Sequence, residues 1–293
     1  MSDLQKPTPF KAACVQNCAG VDMSATVERA AELTHRASDE GADLIAVPEF
    51  FSCLNVGENG LQTGAVPEAE HPVLPLFSSL ARETGAWILL GSLGINDGGA
   101  RLRNRSFMID PSGIIQARYD KIHMFDVELG NGESYKESDV FEPGDKAVVT
   151  PTPWGLFGMS VCYDLRFAYL YRVLAQAGAS FLGVPAAFMR TTGQAHWHSL
   201  LRARAIETGC YVIAPCQNGQ HGRAHTYGHS LIVDPWGTVL ADGSDDEEDV
   251  VIAEIDPSKV EEARAKIPAL QHDRSFSGPE GPVEMDLSLR VGE

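Results

Sequence analysis

The sequence predicts an α/β fold in which two similar halves form one domain. Short apolar runs alternate with amphipathic stretches along the 293 residues, a pattern typical of alternating strands and helices. Two features also recur: an Asp-Pro-x-Gly turn at Asp110 and again at Asp234, and an apolar run that ends in Val47-Pro48 and again in Val184-Pro185. We therefore expect each half to contribute a sheet, with the sheets packed face to face and flanked by helices.

The first half is predicted to begin with a strand and to end in a hairpin. Asp22 or Ser24 is suited to cap the first helix, and Gly85 closes the second. The turn Asp110-Pro111-Ser112-Gly113 predicts the hairpin. In chain order, the predicted elements are strand 10–16, helix 24–38, strand 44–47, helix 73–84 and strands 87–95, 104–109 and 114–119.

The second half repeats this alternation and has its own hairpin turn at Asp234-Pro235-Trp236-Gly237. Since no Gly/Ser-rich or Pro-rich linker separates the halves, we expect a single domain over 8–274, followed by a polar tail over 275–293. The predicted elements are strand 156–161, helix 167–177, strand 181–184, helix 195–208, strands 211–215, 229–233, 238–241 and 250–255, and helix 258–265.

Composition limits the partners and the compartment. The formal net charge of -17 argues against binding to nucleic acid or to an anionic membrane, because both would repel the chain. No apolar run reaches the length of a membrane span, and the polar stretch from Met1 to Lys11 has no signal-peptide core. The six cysteines lack the density of a disulfide framework, so we expect reduced thiols and a cytoplasmic protein.

Three reactive side chains each follow an apparent strand. Cys162 ends the run Gly158 to Val161, Glu49 ends the run that begins at Leu44, and Lys121 follows the first hairpin. A thiol nucleophile, a carboxylate that moves protons and an ammonium beside the oxyanion are sufficient for acyl transfer without serine or metal. The sequence therefore predicts a thiol amidase that needs no cofactor.

This chemistry makes further demands on the three groups. The backbone N–H of Tyr163 is expected to be a second oxyanion donor, because it lies at the start of the following helix. We expect the same helix start to favour the Cys162 thiolate. Burial is expected to raise the pKa of Glu49, so that it exchanges protons near neutral pH.

Other classes of protein compete with this interpretation. A metal enzyme is suggested by His196 and His198 and by the series His221, His225 and His229, although the glycines beside the series would break a helix. A serine hydrolase is disfavoured because Ser160 lacks the final glycine of a nucleophile elbow. A non-catalytic scaffold that keeps the fold to bind a partner is a further alternative.

The sequence around the three groups resembles the nitrilase (carbon–nitrogen hydrolase) superfamily, whose members use a Glu-Lys-Cys triad. The resemblance extends from about Phe10 to His272 and is strongest to the Nit branch of amidases. It rests on these motifs: Val-Pro-Glu-Phe at Glu49, Tyr-Asp-Lys-Ile-His-Met-Phe-Asp at Lys121, Val-Cys-Tyr-Asp-Leu-Arg-Phe at Cys162, Thr192 to Trp197, Arg202 to Glu207, and Gly228 to Ser230 with Asp234 to Gly237.

The resemblance implies an α-β-β-α sandwich, a homodimer or higher homo-oligomer, and catalytic roles for Glu49, Lys121 and Cys162. It also implies a second glutamate, Glu137, that fixes the lysine and orients the substrate nitrogen; the residues alone do not distinguish Glu137 from Glu133 or Glu142.

The implied substrate is a small carboxylate-bearing monoamide, such as deaminated glutathione or a 2-oxo acid ω-amide. Nitrilase and N-carbamoyl hydrolase activities remain alternatives within the superfamily. Arg166 is suited to pair with the substrate carboxylate, or else with a structural acid such as Asp164. A second group of candidate substrate-binding residues is Arg190, Thr191 and Thr192, and Tyr163 is included for its N–H.

Overall fold

Two six-stranded sheets form the centre of the protein, as seen in a computed structural model that describes residues 8–57, 60–130, 133–245 and 247–278. Three two-stranded ribbons, β3–β4, β8–β9 and β14–β15, lie outside the two sheets. The strands are β1 (Phe10–Gln16), β2 (Leu44–Val47), β3 (Asn55–Gly57), β4 (Gly60–Gln62), β5 (Trp87–Ile95), β6 (Arg103–Ile109), β7 (Ile115–Asp120), β8 (Asp126–Gly130), β9 (Glu133–Lys136), β10 (Val148–Thr152), β11 (Gly155–Met159), β12 (Ala179–Gly183), β13 (Tyr211–Ala214), β14 (Asn218–His221), β15 (Ala224–Tyr227), β16 (Leu231–Val233), β17 (Val239–Asp242) and β18 (Asp249–Ile255).

Five α-helices and several short 3₁₀ turns complete the described part of the chain. Asp22 caps the first helix by accepting a hydrogen bond from the Ala25 backbone N–H at 3.2 Å, and Gly85 ends the second in the left-handed conformation. No helix in these ranges is long and apolar enough to cross a membrane. The helices are α1 (Met23–Asp39), α2 (Val73–Thr84), α3 (Ala168–Gln176), α4 (Arg190–Thr208) and α5 (Ser258–Lys266).

The two sheets have the same order of pairings, which confirms the two similar halves. The first sheet runs β18-β1-β2-β5-β6-β7 and the second runs β10-β11-β12-β13-β16-β17. In both, an antiparallel pair is followed by two parallel pairs and then by two antiparallel pairs. The last two strands of each sheet are joined by the Asp-Pro-x-Gly turn, in which the Asp carbonyl accepts a hydrogen bond from the Gly N–H.

The sheets pack against each other and carry helices on their outer faces. Strand β1 illustrates the alternation: Ala12 and Cys14 lie in the core between the sheets with Phe157, whereas Ala13 and Val15 pack in the core beneath α1 and α2. Helices α3 and α4 cover the second sheet. The four-layer α-β-β-α sandwich is therefore confirmed.

Some local predictions differ from the structure. Helix α4 begins at Arg190, five positions before the expected start at 195, so the small polar residues after Arg190 form its first turn instead of a loop. The strand expected over 156–161 ends at Met159, and the predicted helix start at 167 is preceded by a 3₁₀ turn over Cys162–Arg166. The three ribbons were not predicted, because their residues are mostly polar and partly exposed. Most of the predicted tail, 279–293, lies outside the described residues.

Candidate active site

Glu49, Lys121 and Cys162 meet between the two sheets, each on a loop that follows a strand. Glu49 comes two residues after β2, Lys121 directly after β7, and Cys162 three residues after β11. The three side chains are almost completely buried, and all line the same cavity. Residues 72 and 113 positions apart in the chain are thereby brought together in one site: Glu49 and Lys121 follow strands of the first sheet, and Cys162 follows a strand of the second sheet packed against it.

Lys121 is held between two carboxylates. Its Nζ donates to Glu49 Oε1 at 2.9 Å and to Glu137 Oε1 and Oε2 at 3.0 and 2.7 Å. The side chain is 2% exposed. A buried ammonium is tolerated because both partners carry negative charge, and these partners raise the pKa of Lys121 well above its usual value, although burial alone would lower it. Lys121 is therefore a fixed positive charge.

Glu49 is oriented through both of its carboxylate oxygens. Oε1 accepts from Lys121 and from Asn104 Nδ2, each at 2.9 Å, and Oε2 accepts from the backbone N–H of Ala187 at 2.9 Å. Ala187 lies two residues after the second Val-Pro, whereas Glu49 directly follows the first, so the contact joins the two corresponding loops of the halves, offset by one residue.

Asn104, on β6, contacts both glutamates of this site and was not predicted from the sequence. Its Nδ2 donates to Glu49 Oε1 at 2.9 Å and to Glu137 Oε1 at 3.1 Å, and the side chain is 1% exposed. A polar residue at the start of a strand carries no distinctive pattern. The one available signal was its neighbour in the hairpin, since the Lys121 N–H donates to the Asn104 carbonyl.

Glu137 is the glutamate that the structure brings to Lys121. It begins a short 3₁₀ turn, and its Oε2 also accepts from the Phe125 backbone N–H at 2.7 Å. Glu133 instead accepts from Thr191 Oγ1, and Glu142 lies near Arg103. Of the three glutamates that the sequence did not distinguish, Glu137 is therefore the one that contacts Lys121.

Cys162 occupies a strained turn. Its φ of 46° lies in the left-handed region, which is uncommon for a residue other than glycine, and its N–H donates to the Pro185 carbonyl at 2.9 Å. Within the described ranges, no group accepts a hydrogen bond from the next backbone N–H, that of Tyr163. An unpaired donor beside a nucleophile has the placement of an oxyanion donor.

Asp164 fixes this turn against the loop that carries Lys121. It is fully buried; its Oδ2 accepts from the Val161 N–H at 2.9 Å and from the Tyr119 hydroxyl at 2.7 Å, and its Oδ1 accepts from the His123 N–H at 3.0 Å. The suggested pairing of Arg166 with Asp164 is therefore wrong: Asp164 has other partners, and Arg166 lies 3.3 Å from His196 Nδ1.

The electrostatics of the nucleophile differ from expectation. Burial and the adjacent Glu49 carboxylate raise the pKa of the Cys162 thiol well above its usual value, and Lys121 offsets this only in part. The five-residue 3₁₀ turn that follows is too short to favour the thiolate as a helix N-terminus would. Cys162 therefore rests as a thiol beside a carboxylate base.

The two glutamates differ in the direction of their pKa shifts. Burial raises the pKa of Glu49, but the Lys121 ammonium and the hydrogen bonds outweigh it and hold the pKa below its usual value, contrary to expectation. Burial raises the pKa of Glu137, and the neighbouring Glu49 charge adds to this rise, while Lys121 opposes it. Glu49 is therefore the more acidic carboxylate of the pair.

The cavity beside Cys162 has a volume of about 300 Å³ and is mainly apolar and aromatic. Two of the predicted substrate-binding residues, Tyr163 and Thr192, line it. Arg166 does not, but its guanidinium lies over the ring of Tyr163 at 5.8 Å and over that of Phe188 at 5.4 Å, and both rings face the cavity. Arg166 is thus adjacent to the cavity.

Arg190 and Thr191 are not among the lining residues. Arg190 contacts His225 Nε2 and Asp245 Oδ2, both at 3.2 Å. A different arginine, Arg223, does line the cavity. The sequence analysis did not identify it, because it lies in a polar ribbon without a motif.

The histidines do not lie on one helix, and the three described residues whose ligand atoms are close enough together to hold a metal ion, His198, His229 and Asp242, lie away from Cys162. His221 lies in a strand and contacts the Ala19 carbonyl and Thr226 Oγ1. His198 and His229 both contact Asp242, at 3.1 and 2.9 Å, on a partly exposed surface. None of these residues lines the cavity that contains Cys162.

Comparison with known proteins agrees with this geometry. Residues 11–265 match the family model of the carbon-nitrogen hydrolases. A deaminated glutathione amidase from Synechocystis sp. is 40% identical over 270 residues, which cover 90% of this chain and 98% of that protein.

Two solved structures have the same fold. The Caenorhabditis elegans NitFhit protein superposes with a TM-score of 0.82 at 33% identity, covering 92% of this chain and 66% of that one. Nit3 of Saccharomyces cerevisiae, described as a member of branch 10 of the nitrilase superfamily, superposes with a TM-score of 0.77 at 28% identity, covering 89% and 94%. The chain therefore belongs to the carbon-nitrogen hydrolase family and is a hydrolase of carbon–nitrogen bonds other than peptide bonds.

Proposed function

We propose that the protein is a thiol amidase that hydrolyses a small linear amide bearing a carboxylate, of the deaminated glutathione or 2-oxo acid ω-monoamide type. The observation that carries the proposal is the contact of Glu49 with Lys121 beside the Cys162 thiol in one cavity. Relatives from Synechocystis sp., Dictyostelium discoideum and rat, each named deaminated glutathione amidase, support the choice of substrate.

In the first half of the reaction, Glu49 takes the thiol proton as Cys162 Sγ bonds to the amide carbon. The carbonyl oxygen becomes an oxyanion, which the Tyr163 N–H and the Lys121 ammonium stabilise. Glu49 then returns the proton to the nitrogen, the C–N bond breaks, and ammonia or an amine leaves an acyl thioester on Cys162. A thiol with a raised pKa requires this coupled proton transfer, because little thiolate is present beforehand.

In the second half, water replaces the amine. Glu49 takes a proton from water as its oxygen attacks the thioester carbon, the C–S bond breaks, and the thiol is re-formed with the release of a carboxylic acid. Glu137 holds Lys121 in place throughout by accepting hydrogen bonds from its Nζ, and we assign it the further role of orienting the substrate nitrogen. No step in this sequence requires a cofactor.

The substrate carboxylate is assigned to Arg166, with Thr192 and Tyr163 beside it. This assignment is supported by the position of the Arg166 guanidinium against two rings of the cavity wall, since a guanidinium can pair with a carboxylate through two hydrogen bonds. Arg190 and Thr191, on the first turn of α4, are assigned a secondary role in shaping that turn.

The assembly and the compartment are also inferred. A cytoplasmic homodimer or higher homo-oligomer is supported by the six free cysteines and by exposed apolar side chains on the helix layer that covers the second sheet, among them Tyr169, Val173 and Ile206. Light scattering of the purified protein tests the assembly; a monomer at micromolar concentration would contradict it.

The reaction is tested by measuring ammonia or amine release from deaminated glutathione, 2-oxoglutaramate, glutamine, an aliphatic amide and a nitrile. Wild type should act on the acidic amides, and Cys162→Ala should lose this activity while keeping its circular dichroism. Full activity in Cys162→Ala would refute the thioester route. Activity on the nitrile alone would favour the nitrilase alternative.

A further inference from the structure

A row of aromatic rings leads along the cavity from the nucleophile to Arg223. We define this aromatic wall as Tyr163, Phe125 and Tyr135. The ring centroids of Tyr163 and Phe125 are 5.1 Å apart, those of Phe125 and Tyr135 are 5.3 Å apart, and the Arg223 guanidinium lies 5.7 Å from the Tyr135 centroid. All four side chains line the cavity. Arg223 is therefore at the end of the wall opposite Cys162.

The backbone of Arg223 is held by a hydrogen bond, whereas its guanidinium has no carboxylate partner among the described residues. Its N–H donates to the Val56 carbonyl at 2.9 Å, and Gly222 before it approaches the Val56 backbone so closely that a Cβ there would have no room. The guanidinium makes one long hydrogen bond, 3.5 Å to the Ser134 carbonyl. Across the described ranges it forms no ion pair, whereas Arg105 contacts three carboxylates. Arg223 is exposed, so its charge lies at the rim of the cavity, where in a chain of net charge -17 it is available to bind an anion.

The two ends of the aromatic wall have different neighbours. Arg166 lies over Tyr163 at the near end and is assigned to the acyl carboxylate. Glu137, assigned to the substrate nitrogen, accepts a hydrogen bond from the Phe125 N–H and lies two residues beyond Tyr135. The leaving nitrogen therefore faces the part of the wall that ends at Arg223. The cavity volume of about 300 Å³ is at the lower bound of pockets that enclose drug-sized ligands, so it has room for more than ammonia as a leaving group.

We propose that Arg223 binds a carboxylate on the leaving amine, so that the enzyme selects amides whose amine portion is a short acidic peptide over amides that release ammonia. The inference rests on the proposed function and chooses between its two substrate types. The aromatic wall would contact the intervening apolar and peptide atoms, and Arg223 would form a bidentate pair with the terminal carboxylate.

The test compares kcat/KM for three substrates: deaminated glutathione, the same molecule with its terminal carboxylate converted to an amide, and 2-oxoglutaramate. In Arg223→Gln the ratio of kcat/KM for deaminated glutathione to that for 2-oxoglutaramate should fall about tenfold, mainly through KM, because one charge-assisted contact in a partly open site is lost. Arg223→Lys should recover part of this loss. Arg274→Gln, which removes the same charge from an exposed site outside the cavity, should leave the ratio unchanged.

Amidating the terminal carboxylate provides an independent check. In wild type, kcat/KM should be about tenfold lower for the amidated substrate than for deaminated glutathione. In Arg223→Gln the two substrates should have equal kcat/KM, because amidating the carboxylate and replacing the arginine remove the same contact. If Arg223→Gln changes kcat/KM by the same factor for all three substrates, or still prefers the acid to its amide, then Arg223 does not bind the terminal carboxylate. The proposed amidase function would be unaffected by that result. If wild type hydrolyses neither deaminated glutathione nor 2-oxoglutaramate, the proposed function fails, and this inference fails with it.

Discussion

Replacing Asn104 tests whether a neutral residue sets the geometry of the two active-site glutamates. Its Nδ2 is shared by Glu49 Oε1 at 2.9 Å and Glu137 Oε1 at 3.1 Å, and a hydrogen bond to a charged group contributes about 1.5–3 kcal/mol. Both glutamates keep Lys121 as a donor after the change, so the loss should correspond to about one such bond instead of two. If that loss falls on the transition state, Asn104→Ala should lower kcat by about 10- to 100-fold.

Asn104→Asp separates the effect of the donor from that of shape. Aspartate has the same size and shape as asparagine but would place a third carboxylate beside a single ammonium. At neutral pH, kcat should therefore be lower in Asn104→Asp than in Asn104→Ala. Its activity relative to wild type should rise at acidic pH, where the protonated aspartic acid becomes a donor. The assay is kcat and KM from pH 5 to 8, together with urea unfolding to confirm that each variant is folded.

The control is Asn96→Asp, which adds the same charge on an exposed loop and should have wild-type kinetics. Wild-type kcat in folded Asn104→Ala, or higher activity in Asn104→Asp than in Asn104→Ala at neutral pH, would refute the proposed role of the shared donor.

Three other predictions concern the general base Glu49, the nucleophile Cys162 and Gly91, whose backbone packs against the residues before Glu49. Glu49→Gln should lower kcat by about a hundredfold or more, because the general base is lost. The same change should speed alkylation of Cys162 by iodoacetamide at pH 7, because the Glu49 carboxylate that helps to raise the thiol pKa is gone. An unchanged alkylation rate would contradict this prediction. Wild-type kcat/KM should stay level from about pH 6 to about pH 8.5, because Glu49 titrates below this window and Cys162 above it; a descending limb within it counts against these shifts. Gly91→Ala should reduce kcat and lower the free energy of unfolding by about 1–3 kcal/mol, because the added Cβ would overlap the Pro48 backbone next to Glu49. Gly99→Ala is the control, since a Cβ there has room. Urea unfolding and kcat are measured for both variants, and equal values for the two would contradict the prediction.

The sequence was sufficient for the parts of the fold that repeat and alternate. The two Asp-Pro-x-Gly turns and the two Val-Pro strand ends occupy corresponding places in two sheets of the same topology. Apolar runs such as Leu44–Val47 become fully buried strands, as their composition requires. The polar ribbons could not be predicted in the same way, because their pairing depends on the surrounding structure and leaves no periodic pattern.

The site was predictable where a residue type is unusual for its position, and not where it is ordinary. A thiol and a carboxylate after buried strands attract notice, and Cys162 and Glu49 do meet in one cavity. Asn104 and Arg223 are common residues whose importance comes only from what surrounds them. The direction of the Cys162 pKa shift also required the structure, because it depends on burial and on the distance to a carboxylate far away in the chain.

Rapid-quench mass spectrometry of the enzyme with deaminated glutathione tests the central claim, a thioester on Cys162, most directly. We expect wild type to gain the mass of the acyl portion during turnover, with the adduct mapped to the peptide containing Cys162, and to lose it on treatment with hydroxylamine. Cys162→Ala should show neither adduct nor turnover. Turnover with no covalent species at any time, or an adduct on another residue with activity kept in Cys162→Ala, would contradict the account.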